Sequence, residues 1–268
     1  MEAAALVEAV QSIAQRAGEA ILEVYYAETP LQVIAKADDS PVTQADWQSN
    51  NLITEALQAL TPGIPILSEE TPHDDYSVRR QYEYWWLIDP LDGTKEFIRR
   101  NGEFCVCIAL MYREFPVLGV IYVPVLEEMY WAVSGKGSYL STGGTIYPLH
   151  VFAFKPTDPA LKVACSRSHL DPATQAFVAN LNHAVLQPVG SARKMGLLAR
   201  GDIHLYPRLA TLHEWDLAAG QLIVEEAGGR IIDYKTGQRI AYNTPSLYCP
   251  PFIAMGQTDP TFFTAKPE

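Results

Sequence analysis

Acidic residues standing at the ends of apolar segments carry the chemical information in this chain. Four sites stand out. They are Asp46 after Pro41-Val42-Thr43, Glu69-Glu70 after Ile64–Ser68, Asp89 and Asp92 around Pro90-Leu91, and Asp216 after Trp215. A carboxylate beside Ile88, Leu91 or Trp215 is costly unless a cation or a set of donors satisfies it. Carboxylates without histidine suit hard cations such as magnesium, which prefer oxygen ligands.

The segment Asp89-Pro90-Leu91-Asp92-Gly93-Thr94 is the most informative. Pro90 fixes φ and removes a donor, so the chain turns sharply after Asp89. Both aspartates can then converge on cations, with the Leu91 carbonyl as a further hard ligand. Gly93 lets backbone approach a phosphate closely. Thr94 opens a helix whose unbonded amides attract anions. Metal and phosphate would lie side by side, as metal-assisted phosphoryl transfer requires. For an isolated Asp-x-x-Asp-Gly, an N-cap and an ordinary turn is the competing reading. Asp216 also precedes a helical pattern, so a cap and a ligand role are both open to it.

The elements that must position these residues follow from periodicity. Ala5 to Tyr25 repeats apolar residues at helical spacing, and a second helix is expected from about Asp46 to Ala59, before Thr61-Pro62-Gly63. Ile64–Ser68 and Tyr84–Ile88 read as strands that deliver Glu69 and Asp89. A short helix from Lys95 to Asn101 ends at Gly102, with strands at Phe104–Met111, Pro116–Val123 and Glu128–Val133 and a hairpin region at 135–144. Beyond Phe154, strands (Leu161–Ser166, Ile203–Tyr206, Gly229–Asp233) alternate with helices (Pro172–Leu181, Lys194–Ala199, Leu217–Ala227). The pattern predicts an α+β half over residues 1–155 and an α/β half over 156–268.

Composition narrows the partners. The 268 residues are 48% hydrophobic and 19% charged, with a formal net charge of −11. That balance argues against a nucleic-acid polymer, which needs a basic footprint, but bound cations reverse the local field for a small anion. Cys105, Cys107, Cys165 and Cys249 lack metal or disulfide spacing and read as reduced thiols. No signal-peptide pattern and no stretch of about 18 apolar residues occurs. A cytoplasmic location is expected, including the cytoplasmic face of an inner membrane. Arg79-Arg80, Glu127-Glu128 and Glu225-Glu226 read as solvated charges, and His73, His150, His183, His204 and His213 as surface or packing residues. Asp38-Asp39 reads as part of a loop over the cleft.

Three segments together resemble the inositol monophosphatase family: Ser68-Glu69-Glu70, Asp89 to Phe97, and Glu214-Trp215-Asp216-Leu217-Ala218-Ala219-Gly220. Asp-Pro-hydrophobic-Asp-Gly-Thr and Trp-Asp-hydrophobic-Ala-Ala-Gly are signatures of that family, and they occur here in its order. Ser40 to Asp46, Lys95 to Phe104, Ser166-Arg167-Ser168-His169, Gly190 to Lys194 and Leu205-Tyr206-Pro207-Arg208 are similar to its 3'(2'),5'-bisphosphate nucleotidase branch. The resemblance implies the layered αβαβα fold, with the active site between two halves. It implies that two or three magnesium ions bind Glu69, Asp89, Asp92, Asp216 and the Leu91 carbonyl, with inhibition by lithium and calcium. Glu69 and Thr94, with Asp46 behind Thr94, would activate the attacking water. The Gly93 and Thr94 amides would hold the cleaved phosphate, and Ser191, Lys194, Arg208 and His169 the rest of the substrate. Ala192 and Arg193 depart from the commoner Ser-Leu pair of that branch. The implied substrate is a bisphosphorylated nucleotide, adenosine 3',5'-bisphosphate, converted by a monomer or homodimer to AMP and phosphate, a step in clearing a by-product of sulfur assimilation. Inositol-1-monophosphatase or fructose-1,6-bisphosphatase activity is the alternative, and a non-catalytic metal- or nucleotide-binding regulator the reading from another class.

Overall fold

The apolar stripe of the first segment becomes α1 (Val7–Tyr26), which buries Val10, Ile13, Ala14, Ala17, Ile21 and Tyr25. Before α2 (Gln44–Leu60), β1 (Val33–Ala35) and β2 (Pro41–Thr43) form an antiparallel pair. Thr43 and Asp46 close a capping box at the start of α2, each satisfying amides that the helix leaves open. The computed structural model describes residues 2–28, 31, 33–35, 41–167 and 171–264.

Seven strands follow: β3 (Ile66–Ser68), β4 (Tyr84–Asp92), β5 (Cys105–Tyr112), β6 (Phe115–Val123), β7 (Glu128–Val133), β8 (Gly137–Thr142) and β9 (Thr145–Pro148). They form one sheet in chain order, antiparallel throughout except that β3 runs parallel to β4. The short helices α3 (Tyr76–Arg79) and α4 (Thr94–Ile98) flank β4. Helix α4 is shorter than the segment to Asn101 expected from the sequence.

The second sheet comprises β10 (Lys162–Ser166), β11 (Val185–Val189), β12 (Leu205–Arg208), β14 (Arg230–Asp233) and β16 (Phe252–Met255), in the order β11-β10-β12-β16-β14. The first three are mutually parallel, and β16 runs antiparallel to both its neighbours. Between them run α5 (Pro172–Ala179), α6 (Arg193–Ala199) and α7 (Ala218–Glu226), and a two-residue ladder joins β13 (Leu212–His213) to β15 (Tyr248–Cys249). Neither β11 nor β16 is evident from the sequence. Val185 and Leu186 are exposed on an edge strand, and β16 follows Pro250-Pro251.

Three apolar clusters define the layers. One seats α1 and α2 on the first sheet, one fills the space between the sheets around α6 and α7, and one lies on the outer face of the second sheet with Val178 of α5. The result is the αβαβα sandwich. Gly119 of β6 shows how closely α7 approaches: a Cβ there would lie 2.6 Å from the Ala219 carbonyl oxygen. That contact seats the start of α7, and Asp216 just before it, against the first sheet. All four cysteines are buried and unbridged, and no described helix is long and apolar enough to cross a membrane.

Candidate active site

Register explains why the carboxylates meet. Because β3 pairs with β4 in parallel, Ser68 lies opposite Ile88, and the Glu69 amide donates to the Ile88 carbonyl at 3.1 Å. The next residue on each strand is acidic, so Glu69 and Asp89 emerge side by side. In the β4–β5 pairing the register slips between Asp89, opposite Cys107, and Asp92, opposite Cys105. Such a bulge re-aims side chains, and it carries Pro90-Leu91. Ser49 on α2 pins the bulge by donating to the Pro90 carbonyl at 2.7 Å, and Asp89 Oδ1 accepts from the Leu91 amide at 3.0 Å.

Asp216 arrives from the other layer. Its Oδ2 accepts from the His213 amide at 3.2 Å. Ligand oxygens of Glu69, Asp89 and Asp216 all lie within 4.8 Å of one another. Burial pushes the Asp89 acid well above the usual range, and the charges of Glu69, Asp92 and Asp216 push it further; burial, Asp92 and Glu69 do the same to Asp216. Asp92 stands beside them, raised to about 6 chiefly by burial, with Lys194 and a bond from the Ala192 amide opposing. Three carboxylates held this close, with oxygen donors only, fit a hard divalent cation. Neutralisation by protons is the alternative state of the same cluster.

Thr94 sits at the other side of this group. Its Oγ1 donates to Asp46 Oδ1 at 3.1 Å, with the Leu91 carbonyl at 3.4 Å. Asp46 is 2% exposed, and its second oxygen accepts from the Thr43 amide and hydroxyl at 2.7 and 2.6 Å. A hydroxyl whose proton is committed to Asp46 presents its lone pairs to a water. Gly93 between the two halves of the loop has φ +95°, and a Cβ there would lie 3.1 Å from Ser191 Cβ. A side chain there would be strained by that φ and would crowd Ser191.

A cavity of about 420 Å³ joins these groups to Ser191, Lys194 and Arg208. Lys194 is buried; its ammonium donates to the carbonyls of Ser191 at 2.6 Å and Val189 at 3.2 Å and lies 5.1 Å from the centre of the Tyr206 ring. It thus shapes the Ser191 turn as well as adding charge to the cavity. Arg208 donates to the Thr211 carbonyl at 3.2 Å, and its Nε is buried with no partner among the described residues. Arg193, the departure noted in the sequence, is held between Glu103 at 3.9 Å and Glu128 at 3.7 Å. His169 and Asp38-Asp39 lie outside the described residues.

Other expectations need correction. Arg79 is no solvated charge: it is 3% exposed, and its guanidinium donates to the Asp74 carbonyl, Asn243 Oδ1 and the Thr244 and Pro245 carbonyls. Glu214 accepts from the Asn243 and Thr244 amides and the Thr244 hydroxyl, at 2.6 to 2.8 Å. Asn243 therefore bridges Arg79 to the segment that carries Asp216, a brace the sequence did not reveal. Glu128 is an ion-pair centre for Arg193 and Arg200, Glu225 pairs with Arg239, and Glu226 accepts from the Gly135 and Gly137 amides. His213 does pack, between rings, but it also borders the cavity, where no role was assigned to it.

The sequence profile of the inositol monophosphatase family matches residues 2–260. The chain belongs to that family. Within the inositol monophosphatase family it is similar to the 3'(2'),5'-bisphosphate nucleotidase CysQ of Salmonella typhimurium, 41% identical over 246 residues that span 92% of this chain and 97% of the relative. The CysQ of Aggregatibacter actinomycetemcomitans is 39% identical over 94% of this chain and 93% of its own. Among solved structures, CysQ from Bacteroides thetaiotaomicron superposes with a TM-score of 0.82 at 36% identity, covering 97% of this chain and 99% of that one.

Proposed function

We propose that this chain is a magnesium-dependent phosphomonoester hydrolase, a 3'(2'),5'-bisphosphate nucleotidase that converts adenosine 3',5'-bisphosphate to AMP and phosphate. The supporting observation is the shared cavity: the Glu69–Asp89–Asp216 cluster and Thr94, backed by Asp46, open onto the same space as Lys194 and Arg208. The similarity to CysQ proteins from several bacteria points to the same substrate.

Glu69, Asp89, Asp92, Asp216 and the Leu91 carbonyl hold two or three magnesium ions, which when bound supply charge to offset that developing on the phosphoryl oxygens. Thr94, its proton committed to Asp46, and Glu69 orient the attacking water, whose proton passes to a carboxylate, either Glu69 directly or Asp46 through the Thr94 hydroxyl. The Gly93 and Thr94 amides hold the phosphate to be cleaved. Ser191, Lys194, Arg208 and His169 hold the second phosphate and the nucleoside. Anchoring at one phosphate while the other reacts lets remote binding energy lower the barrier. Lithium inhibits, and calcium inhibits by competing with magnesium. A phosphate-release panel with adenosine 3',5'-bisphosphate, inositol 1-phosphate and fructose 1,6-bisphosphate tests the assignment. The nucleotide should be hydrolysed with the highest kcat/KM, and a preference for either sugar phosphate would refute it.

A further inference from the structure

Three aromatic side chains border the cavity: Tyr206, His213 and Tyr248. The face of Tyr206 is engaged by the Lys194 ammonium. The His213 ring stacks on Trp215, with centroids 4.5 Å apart and planes 12° off parallel, and on Tyr248 at 4.4 Å and 27°. Two rings cannot stack on one face of an imidazole, so His213 lies between them. The column runs Trp215, His213, Tyr248, and Tyr248 is its free-standing end. Trp215 is 6% exposed, whereas Tyr248 is 43% exposed.

The column is fixed from behind. His213 pairs with Tyr248 in the β13–β15 ladder, the Glu214 amide donates to the Leu247 carbonyl at 2.9 Å, and the Glu214 carboxylate grips Asn243 and Thr244. A large exposed ring held against half-buried His213, itself stacked on buried Trp215, has less conformational freedom to lose when a ligand arrives, which strengthens binding.

We propose that Tyr248, braced by His213 on Trp215, is the stacking surface for the ligand's nucleobase, a purine adding as the fourth ring. The proposal rests on the nucleotide reading above and assigns the base to β15, apart from the phosphate contacts at Gly93–Thr94 and Ser191–Arg208. Aromatic stacking under a base is worth about 1–3 kcal/mol, or roughly 5- to 150-fold in affinity. Tyr248→Ala should therefore raise KM for adenosine 3',5'-bisphosphate about 5- to 150-fold, with kcat moving much less. The KM for inositol 1-phosphate, which has no base, should move far less than that. Tyr248→Phe keeps the ring and should restore the adenosine value. Equal KM changes on both substrates, or no change on either, would overturn the platform. Failure of the nucleotide reading has a separate signature: wild type that turns over inositol 1-phosphate and not the nucleotide. Calorimetric binding of AMP then tests the platform by itself. Weaker binding by Tyr248→Ala and recovery in Tyr248→Phe support it, and absent or equal binding across the three proteins overturns it.

Discussion

Asp92→Asn separates the cost of the carboxylate cluster from its use. Burial and its acidic neighbours hold Asp92 at about 6, against an ordinary value near 4. An acid raised on folding contributes stability below its unfolded value and loses that contribution as pH rises through its folded value. In chelator, wild type should lose on the order of 2–3 kcal/mol from this one group between pH 4 and pH 7.5, since each pK unit corresponds to about 1.4 kcal/mol. Asparagine keeps the volume, keeps an acceptor for the Ala192 amide and carries no charge. Metal-free Asp92→Asn should thus melt about 5–10 °C above metal-free wild type at pH 7.5, with the difference vanishing near pH 4. Saturating magnesium should remove the variant's advantage: at one hundred times its Kd a cation contributes about 2.7 kcal/mol to wild type, which offsets the deficit, and the variant lacks a ligand. Thermal unfolding in chelator and in magnesium, at both pH values, gives all four numbers. A metal-free variant less stable than wild type at pH 7.5, or a gain equally large at pH 4, would refute the electrostatic account.

The remaining predictions concern other parts of the site. Thr94→Ala should lower kcat about 10²-fold or more at nearly constant KM, because the hydroxyl acts on water and not on substrate; a change confined to KM would contradict this. Lys194→Ala should cost adenosine 3',5'-bisphosphate about one to two decades in kcat/KM, the value of a charge-assisted contact, and inositol 1-phosphate much less. Because Lys194 also bonds the Ser191 and Val189 carbonyls, a fall in melting temperature should accompany the loss, and equal losses on both substrates would leave it a purely structural residue. Arg79→Met removes the Arg79 donors to the Asn243 side chain and to the Asp74, Thr244 and Pro245 carbonyls, of which Thr244 keeps the Leu247 amide, and should destabilise the fold by about 3 kcal/mol. Unchanged unfolding by denaturant would show that the brace contributes nothing.

How far the sequence carried differs from residue to residue. Asp89, Asp92 and Gly93 were legible because proline and glycine force a turn there whatever surrounds it. Glu69 was legible as the end of a strand, but its meeting with Asp89 depends on the parallel β3–β4 register, which no local pattern encodes. Arg79 looked like half of a solvated pair, since its burial is created by Asn243–Pro245, more than 160 residues later in the chain. His213 and Tyr248 are 35 positions apart and meet through a two-residue ladder too short to leave a periodicity. Strand β11 was missed for a related reason: its Val185 and Leu186 are both exposed, so it lacks the alternation of a half-buried strand. Where the chemistry is local the residue types announced it. Where the second layer returns to meet the first, only the packing does.

The most direct test of the central claim is kcat/KM for adenosine 3',5'-bisphosphate and for inositol 1-phosphate, measured in parallel in saturating magnesium and after exhaustive chelation. Cavity and carboxylates together predict strong preference for the nucleotide in magnesium and no turnover of either substrate in chelator. Preference for inositol 1-phosphate, or nucleotide turnover that survives chelation, would contradict the account.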